Sequence, residues 1–280
     1  MLTRKIEKNI RDWIKNDDRA LLLYGVRQAG KTYIIRKCLK DEGCSYVEFN
    51  LIKEPEIVTI LETSSDIDDL ILKLSLYSNE KIIPGETFLF FDEIQKYKEI
   101  VTKIKFLVED KRYRYVLSGS LLGIEIVNLK SAPVGSLRTM KLYPLDFEEF
   151  LQLFNINDKA YGLLKSAYEG RSAVDEMIHN KMLQIFNLYL IIGGMPAAVE
   201  KYRQTEQIDA VIDEHQSILE QYKLDFTQYE AENKKLLLTN IYELIPAELN
   251  ETNDLNLQIW IKISDLSGWK TVLAGCGKQA

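Results

Sequence analysis

The chain has 280 residues, 46% of them hydrophobic and 28% charged, and carries a formal net charge of −6. That length can bury one sizeable core and a smaller second unit, while the acidic balance argues against a surface built for diffuse binding to nucleic acid, which needs clustered Lys and Arg. No apolar run approaches the roughly twenty residues that span a bilayer, and the N-terminus lacks the apolar core of a signal peptide, so a cytoplasmic protein with no membrane partner is expected.

In chain order, Arg4 to Asn16 places Ile6, Ile10, Trp13 and Ile14 at helical spacing, an amphipathic helix suited to packing on a sheet. The apolar run Ala20-Leu21-Leu22-Leu23-Tyr24 reads as a buried strand. It leads directly into Gly25-Val26-Arg27-Gln28-Ala29-Gly30-Lys31-Thr32, a complete G-x-x-x-x-G-K-[ST] phosphate loop, with a helix-forming stretch beginning at Tyr33. Glycines at 25 and 30 let the loop curl with its N–H groups inward, at the positive end of the following helix. Gly25 to Tyr33 is therefore the expected nucleotide cradle. Lys31 reaches the β and γ phosphates, and the Thr32 hydroxyl supplies one ligand to Mg²⁺.

Ser45 to Asn50 reads as a second strand, followed by helices near Glu54–Glu62 and Ile67–Tyr77, and Pro84-Gly85 turns the chain into Thr87-Phe88-Leu89-Phe90-Phe91-Asp92-Glu93. An unbroken apolar run ending in two carboxylates fits a central parallel strand, and ligands bind at the carboxyl ends of such strands. Asp92 is the expected magnesium residue, and Glu93 the group that polarises a water for attack on the γ-phosphate. A helix from Ile100 to Val108 separates this strand from Tyr113–Leu117, which ends in Ser118-Gly119-Ser120. Ser118 or Ser120 either senses the γ-phosphate or belongs to an ordinary strand-to-loop turn. The Lys and Arg between residues 96 and 114 read as a solvated helix face with partners such as Glu99 and Lys103. Arg138 to Tyr143 is the last strand, stopped by Pro144, and from Asp146 the pattern is helical, with Asp146 as N-cap and Glu148 and Glu149 in the first turn.

Strands separated by helices predict an α/β fold with a mostly parallel sheet sandwiched by helices. The boundaries expected are a P-loop ATPase domain over 1–145, a smaller helical region over 146–250 and an irregular remnant over 251–280. Other chemistries find little support. There is no G-x-S-x-G elbow, and the two histidines, His179 and His215, have no partner pattern. Cys38, Cys44 and Cys276 lack metal-ligand spacing and read as free thiols. Asn233-Lys234-Lys235-Leu236 lacks the aspartate of a guanine-reading segment.

Taken together, the phosphate loop with Arg27 and Gln28 inside it, Phe91-Asp92-Glu93-Ile94-Gln95, Leu117-Ser118-Gly119-Ser120, Leu142-Tyr143-Pro144-Leu145-Asp146-Phe147-Glu148-Glu149-Phe150 and Gly193-Gly194-Met195-Pro196-Ala197-Ala198-Val199 resemble the prokaryotic AAA-family ATPases of the archaeal-ATPase-like group. The resemblance implies an AAA-type domain, a helical, winged-helix-like region and then a further domain of unknown function. Two departures stand out. Gly135-Ser136 occupies the place where many members carry Gly-Arg, and similar chains continue far beyond the Ile245–Asn250 segment, so a truncated C-terminal domain is expected here. The activity expected is Mg²⁺-dependent ATP hydrolysis, with a nucleotide-controlled switch of little turnover as the alternative and a small-molecule kinase behind it. The partners expected are ATP, a second copy of the chain, and an unidentified protein or nucleic acid. An arginine finger, if present, comes from another subunit or from Arg112, Arg114 or Arg138.

Overall fold

The computed structural model describes residues 2–97, 99–120, 135–154, 156, 158–228 and 239–245. By compactness the chain divides into two units, 1–211 and 212–280.

The first unit is built on a five-stranded sheet in the order β2-β3-β4-β1-β5, parallel at every pairing. The strands are β1 (Ala20–Gly25), β2 (Ser45–Asn50), β3 (Thr87–Asp92), β4 (Arg114–Ser120) and β5 (Leu137–Leu142). Helices α1 (Ile6–Asn16), α2 (Lys31–Asp41), α3 (Pro55–Thr63), α4 (Ile67–Ser78) and α5 (Ile100–Glu109) cover its faces. Alternate residues of each strand go to opposite sides. Leu22, Leu89, Phe91, Tyr115 and Leu117 pack under α3, α4 and α5, whereas Leu21, Leu23, Phe88, Phe90 and Val116 pack with Ile10, Trp13, Ile34 and Ile35 of α1 and α2. Burial on both faces is the reason the central strands read as continuous apolar runs. The parallel sandwich expected from the sequence is the fold observed.

After β5 every element among the described residues is helical. A turn of helix at Phe147–Phe150 (α6) runs into a 3₁₀ turn at Leu151–Phe154, followed by α7 (Asp158–Glu169), α8 (Glu176–Ile192) and α9 (Pro196–Thr205), and then α10 (Ile208–Gln228). Asp146 caps α6 as expected: its carboxylate accepts from Glu149 N at 2.9 Å, and the Glu149 side chain returns to Asp146 N at 3.2 Å, a complete capping box. The Gly-Gly-Met-Pro segment has a steric reason. A Cβ on Gly194 would lie 2.1 Å from the Leu145 carbonyl oxygen, and the two backbones are joined by Leu145 N donating to Gly194 O at 2.7 Å. Tyr189 Oη donates to the same Leu145 carbonyl at 2.9 Å.

Phe150, Leu151, Met182, Ile185, Ile192, Ala198 and Val199 form a separate buried cluster, with Phe147 and Tyr189 packed against it. The apolar faces of this region are in large part satisfied by one another; Phe186 and Leu190 stay exposed, at 39% and 64%. Among the described residues no single helix is long and apolar enough to cross a membrane. In the second unit, Lys223 pairs with Glu243 at 2.8 Å. The expectations for residues 251–280, including Cys276, and for Asn233–Leu236 lie outside the described residues.

Candidate functional site

The loop between β1 and α2 takes its shape from three backbone positions. At Gly25 a Cβ would stand 2.1 Å from the Leu142 carbonyl oxygen, so only glycine lets β1 lie this close to β5 at the sheet's carboxyl edge. Gln28 and Gly30 adopt left-handed conformations, with φ of 61° and 92°. Ala29 between them is wholly buried and anchors the loop in the core. Gly30 is the N-cap of α2 and provides no side chain to occupy the first turn's N–H groups, which leaves the positive helix end available to an anion.

Lys31 is buried. Its ammonium donates to Gly25 O at 3.2 Å and Val26 O at 2.9 Å, the carbonyls of its own loop. Burial pushes its pKa below the ordinary lysine value. The charges of Glu93 and Asp92 oppose that shift, and Arg27 adds to it. A site that makes a lysine costly to keep charged gains from the arrival of an anion.

Asp92, at the end of β3, is the convergence point. Its carboxylate accepts from Thr32 Oγ1 at 2.9 Å, from Asn50 Nδ2 at 3.3 Å and from the Ser118 hydroxyl. Register explains the meeting: Asn50 lies opposite Asp92 in β2, Phe91 lies opposite Leu117 in β4, and Leu23 of β1 lies opposite Ser118. Ser118 therefore sits within β4 rather than in a turn after it, fully buried. Glu93 follows in a left-handed conformation, φ 58°, and its carboxylate accepts from the Gln95 side-chain amide. Gln95 Oε1 in turn accepts from Ser120 N at 3.3 Å.

Lys31, Thr32, Asp92 and Ser118 thus meet at one sheet edge with Glu93 beside them, and Tyr33 lies 41% exposed on the first turn of α2. Asn50 and Gln95 join the network without having been singled out in the sequence. The signal for Asn50 was a polar side chain closing a strand on the same level as Asp92; Gln95 stood inside the Phe91–Gln95 motif. The hydroxyl of Thr32 and the carboxylate of Asp92 are hard oxygen donors that suit Mg²⁺. Among the described residues no group of three or more His, Cys, Asp or Glu gathers, so phosphate oxygens and water would complete the shell, as is usual for this ion.

The three arginines named from the sequence lie away from the loop. Arg114 is drawn inward, donating to the carbonyls of Ile14 (2.5 Å), Trp13 (3.0 Å) and Asp17 (2.6 Å), with its guanidinium 4.9 Å from the Trp13 ring centroid. Arg112 is held by Asp110 and Asp68. Arg114 opens β4 with Arg112 two residues before it, and Arg138, second in β5, lies opposite Leu21. In a parallel sheet that is the edge away from the phosphate loop, so none of the three reaches the site from its own chain. Lys103 turns its ammonium to Leu61 O at 2.9 Å rather than to Glu99.

Residues 17–151 match the family model of the AAA domain, and residues 183–260 match a domain of unknown function (DUF8612). The AAA match contains the phosphate loop, Asp92-Glu93 and Ser118 together, and an AAA domain is a P-loop ATPase unit, so ATP binding and hydrolysis are the general activity of this fold. An AAA domain followed by a domain of unknown function is also the order found in the archaeal-ATPase-like group that the motifs resemble. Among solved structures, the Walker-type ATPase PABY2304 of Pyrococcus abyssi is similar at 16% identity over 89% of this chain and 77% of its own, with a TM-score of 0.46. The Aeropyrum pernix ORC1 protein in complex with DNA is similar at 15% identity over 87% and 72%, with a TM-score of 0.39. No curated protein matches the chain.

Proposed function

We propose that the AAA domain binds ATP with Mg²⁺ and hydrolyses it in the cytoplasm, with residues 1–145 as the catalytic domain and 146–250 as a helical region that responds to the nucleotide. The observation that carries this reading is Thr32 Oγ1 lying 2.9 Å from the Asp92 carboxylate, directly beneath the phosphate loop. A hydroxyl and a carboxylate in that relation are hard oxygen donors that would hold Mg²⁺ beside a bound triphosphate. Bound Mg²⁺ supplies neutralisation of the phosphate charge.

The chain's own residues do the rest. The loop N–H groups from Gly25 to Thr32 and the N-terminus of α2 hold the phosphates, and Lys31 exchanges two carbonyl partners for phosphate oxygens. Asn50 and Ser118 donate to the Asp92 carboxylate and fix its orientation. Ser118, hydrogen-bonded to the same carboxylate, reports the γ-phosphate through it. Glu93 accepts the proton of the attacking water.

A second reading, a switch with slow turnover, is favoured by one contact. Gln95 holds the Glu93 carboxylate, so Glu93 must exchange that partner for water before it can act as a base. The two readings separate by single-turnover hydrolysis set against nucleotide affinity. Lys31→Ala is expected to abolish tight ATP binding while leaving the fold intact; equal affinity in calorimetry overturns the phosphate-loop assignment. Glu93→Gln is expected to keep binding and slow hydrolysis by roughly 10², and unchanged turnover would move the water-positioning role to another group.

A further inference from the structure

Arg4 is nine-tenths buried, and its guanidinium has partners in three separate parts of the fold. Nη1 donates to Ala29 O of the phosphate loop at 3.3 Å, Nη2 donates to Tyr143 O beyond the end of β5 at 2.6 Å, and Nε lies 3.1 Å from Glu149 Oε2 of α6. The partners are themselves committed. Glu149 also accepts from Lys5 N at 2.7 Å and closes the capping box on Asp146. The Arg4 backbone N–H donates to Glu7 Oε1 at 2.9 Å, and Glu7 takes the Lys37 ammonium of α2 at 2.8 Å.

A buried arginine that merely pinned a helix to a sheet would have no need of the loop. Ala29 is set between Gln28 and Gly30, the two left-handed residues of the cradle, so its carbonyl direction is fixed by the same peptide units that must turn toward a phosphate. The guanidinium is planar and rigid in its donor directions. It therefore cannot follow a rotation of the Ala29 carbonyl without altering its contacts to Tyr143 and Glu149. Lysine, a single point charge, could not hold all three.

On the reading of this loop as the nucleotide site, we propose that Arg4 is the positioning residue that couples the phosphate loop to the Tyr143–Phe154 segment, so that the state of the loop sets how firmly α6 is held. The segment it addresses is the Pro144–Phe150 motif and the 3₁₀ turn that follows.

The test uses the full chain, Mg²⁺ and a non-hydrolysable ATP analogue, reading affinity by calorimetry and amide exchange across residues 143–154. In the parent the analogue should slow exchange in that segment severalfold. Because Arg4→Met alone strands Glu149 in the interior, the double variant Arg4→Met/Glu149→Gln removes both charges together, and Arg4→Lys keeps the charge but loses the fork. Both variants should bind the analogue within a few-fold of the parent and lose most of the exchange response. An undiminished response in either folded variant overturns the coupling. So does a parent that binds the analogue with no response at 143–154. A parent that binds no analogue instead overturns the nucleotide reading itself, a different result from either.

Discussion

Lys31 carries opposing demands that can be measured without nucleotide. Its pKa is lowered on folding by burial from an ordinary value of 10.5. Between the depressed folded value and 10.5 the unfolded chain holds more protons than the folded one, so stability rises with pH through that window. Below it the cost of burying the charge is complete. Lys31→Met should therefore raise the urea midpoint at pH 7, with the gain shrinking as pH approaches 10.5; a variant less stable than the parent at pH 7 would show that the Gly25 and Val26 carbonyls more than repay the burial. At this scale the sequence was informative where one residue type has one use, as in Lys31, Thr32 and Asp92. It was silent on Arg4, because a buried arginine with partners in three elements leaves no local pattern. Ser118 remained ambiguous because serine serves both turns and buried hydrogen-bond networks. Its partner Asp92 lies in another strand.

Among the elements, periodicity tracked burial. β1 and β3 read as continuous apolar runs because both faces are covered, whereas β2 and β5, the two edges among the described strands, mix buried with exposed or half-buried positions. The runs could identify central strands but not their neighbours, since pairing β1 between β4 and β5 depends on crossovers with no local signature. The helical region shows the converse. Its apolar residues were legible, yet which of them face one another was not, because that depends on how α6 and α8 pack. Phe150 is fully buried with ring centroids 5.7 Å from Phe154 and 5.2 Å from Tyr189, while Leu190 on α8 is 64% exposed. Phe150→Ala should cost about 3–5 kcal/mol, and Leu190→Ala should stay within about 0.5 kcal/mol. Comparable losses in chemical denaturation would mean that α8 is covered on its outer side as well.

At the scale of the whole molecule, the open matter is how the site completes its charge stabilisation at the γ-phosphate. An arginine supplied there is worth orders of magnitude in rate for P-loop enzymes that use one. Arg112 and Arg114 are committed to partners at the far edge of the sheet, and Arg138, second in β5 after Leu137, lies at that same edge. Arg4, near the loop, donates to Ala29 and Tyr143 and is ion-paired with Glu149. If a second copy brings that arginine, Met177, Leu190 and Ile191 of α8, at 80%, 64% and 56% exposed, give it surface to meet. The consequence is kinetic. If a second copy completes the site, ATPase activity per chain must rise with protein concentration and level off where association saturates. Diluting the enzyme about a hundredfold below that plateau should lower specific activity in parallel with the loss of the associated species in light scattering. Specific activity that stays flat while the association state changes would show that each chain carries its own stabilising charge, and would direct attention to Arg27 inside the loop.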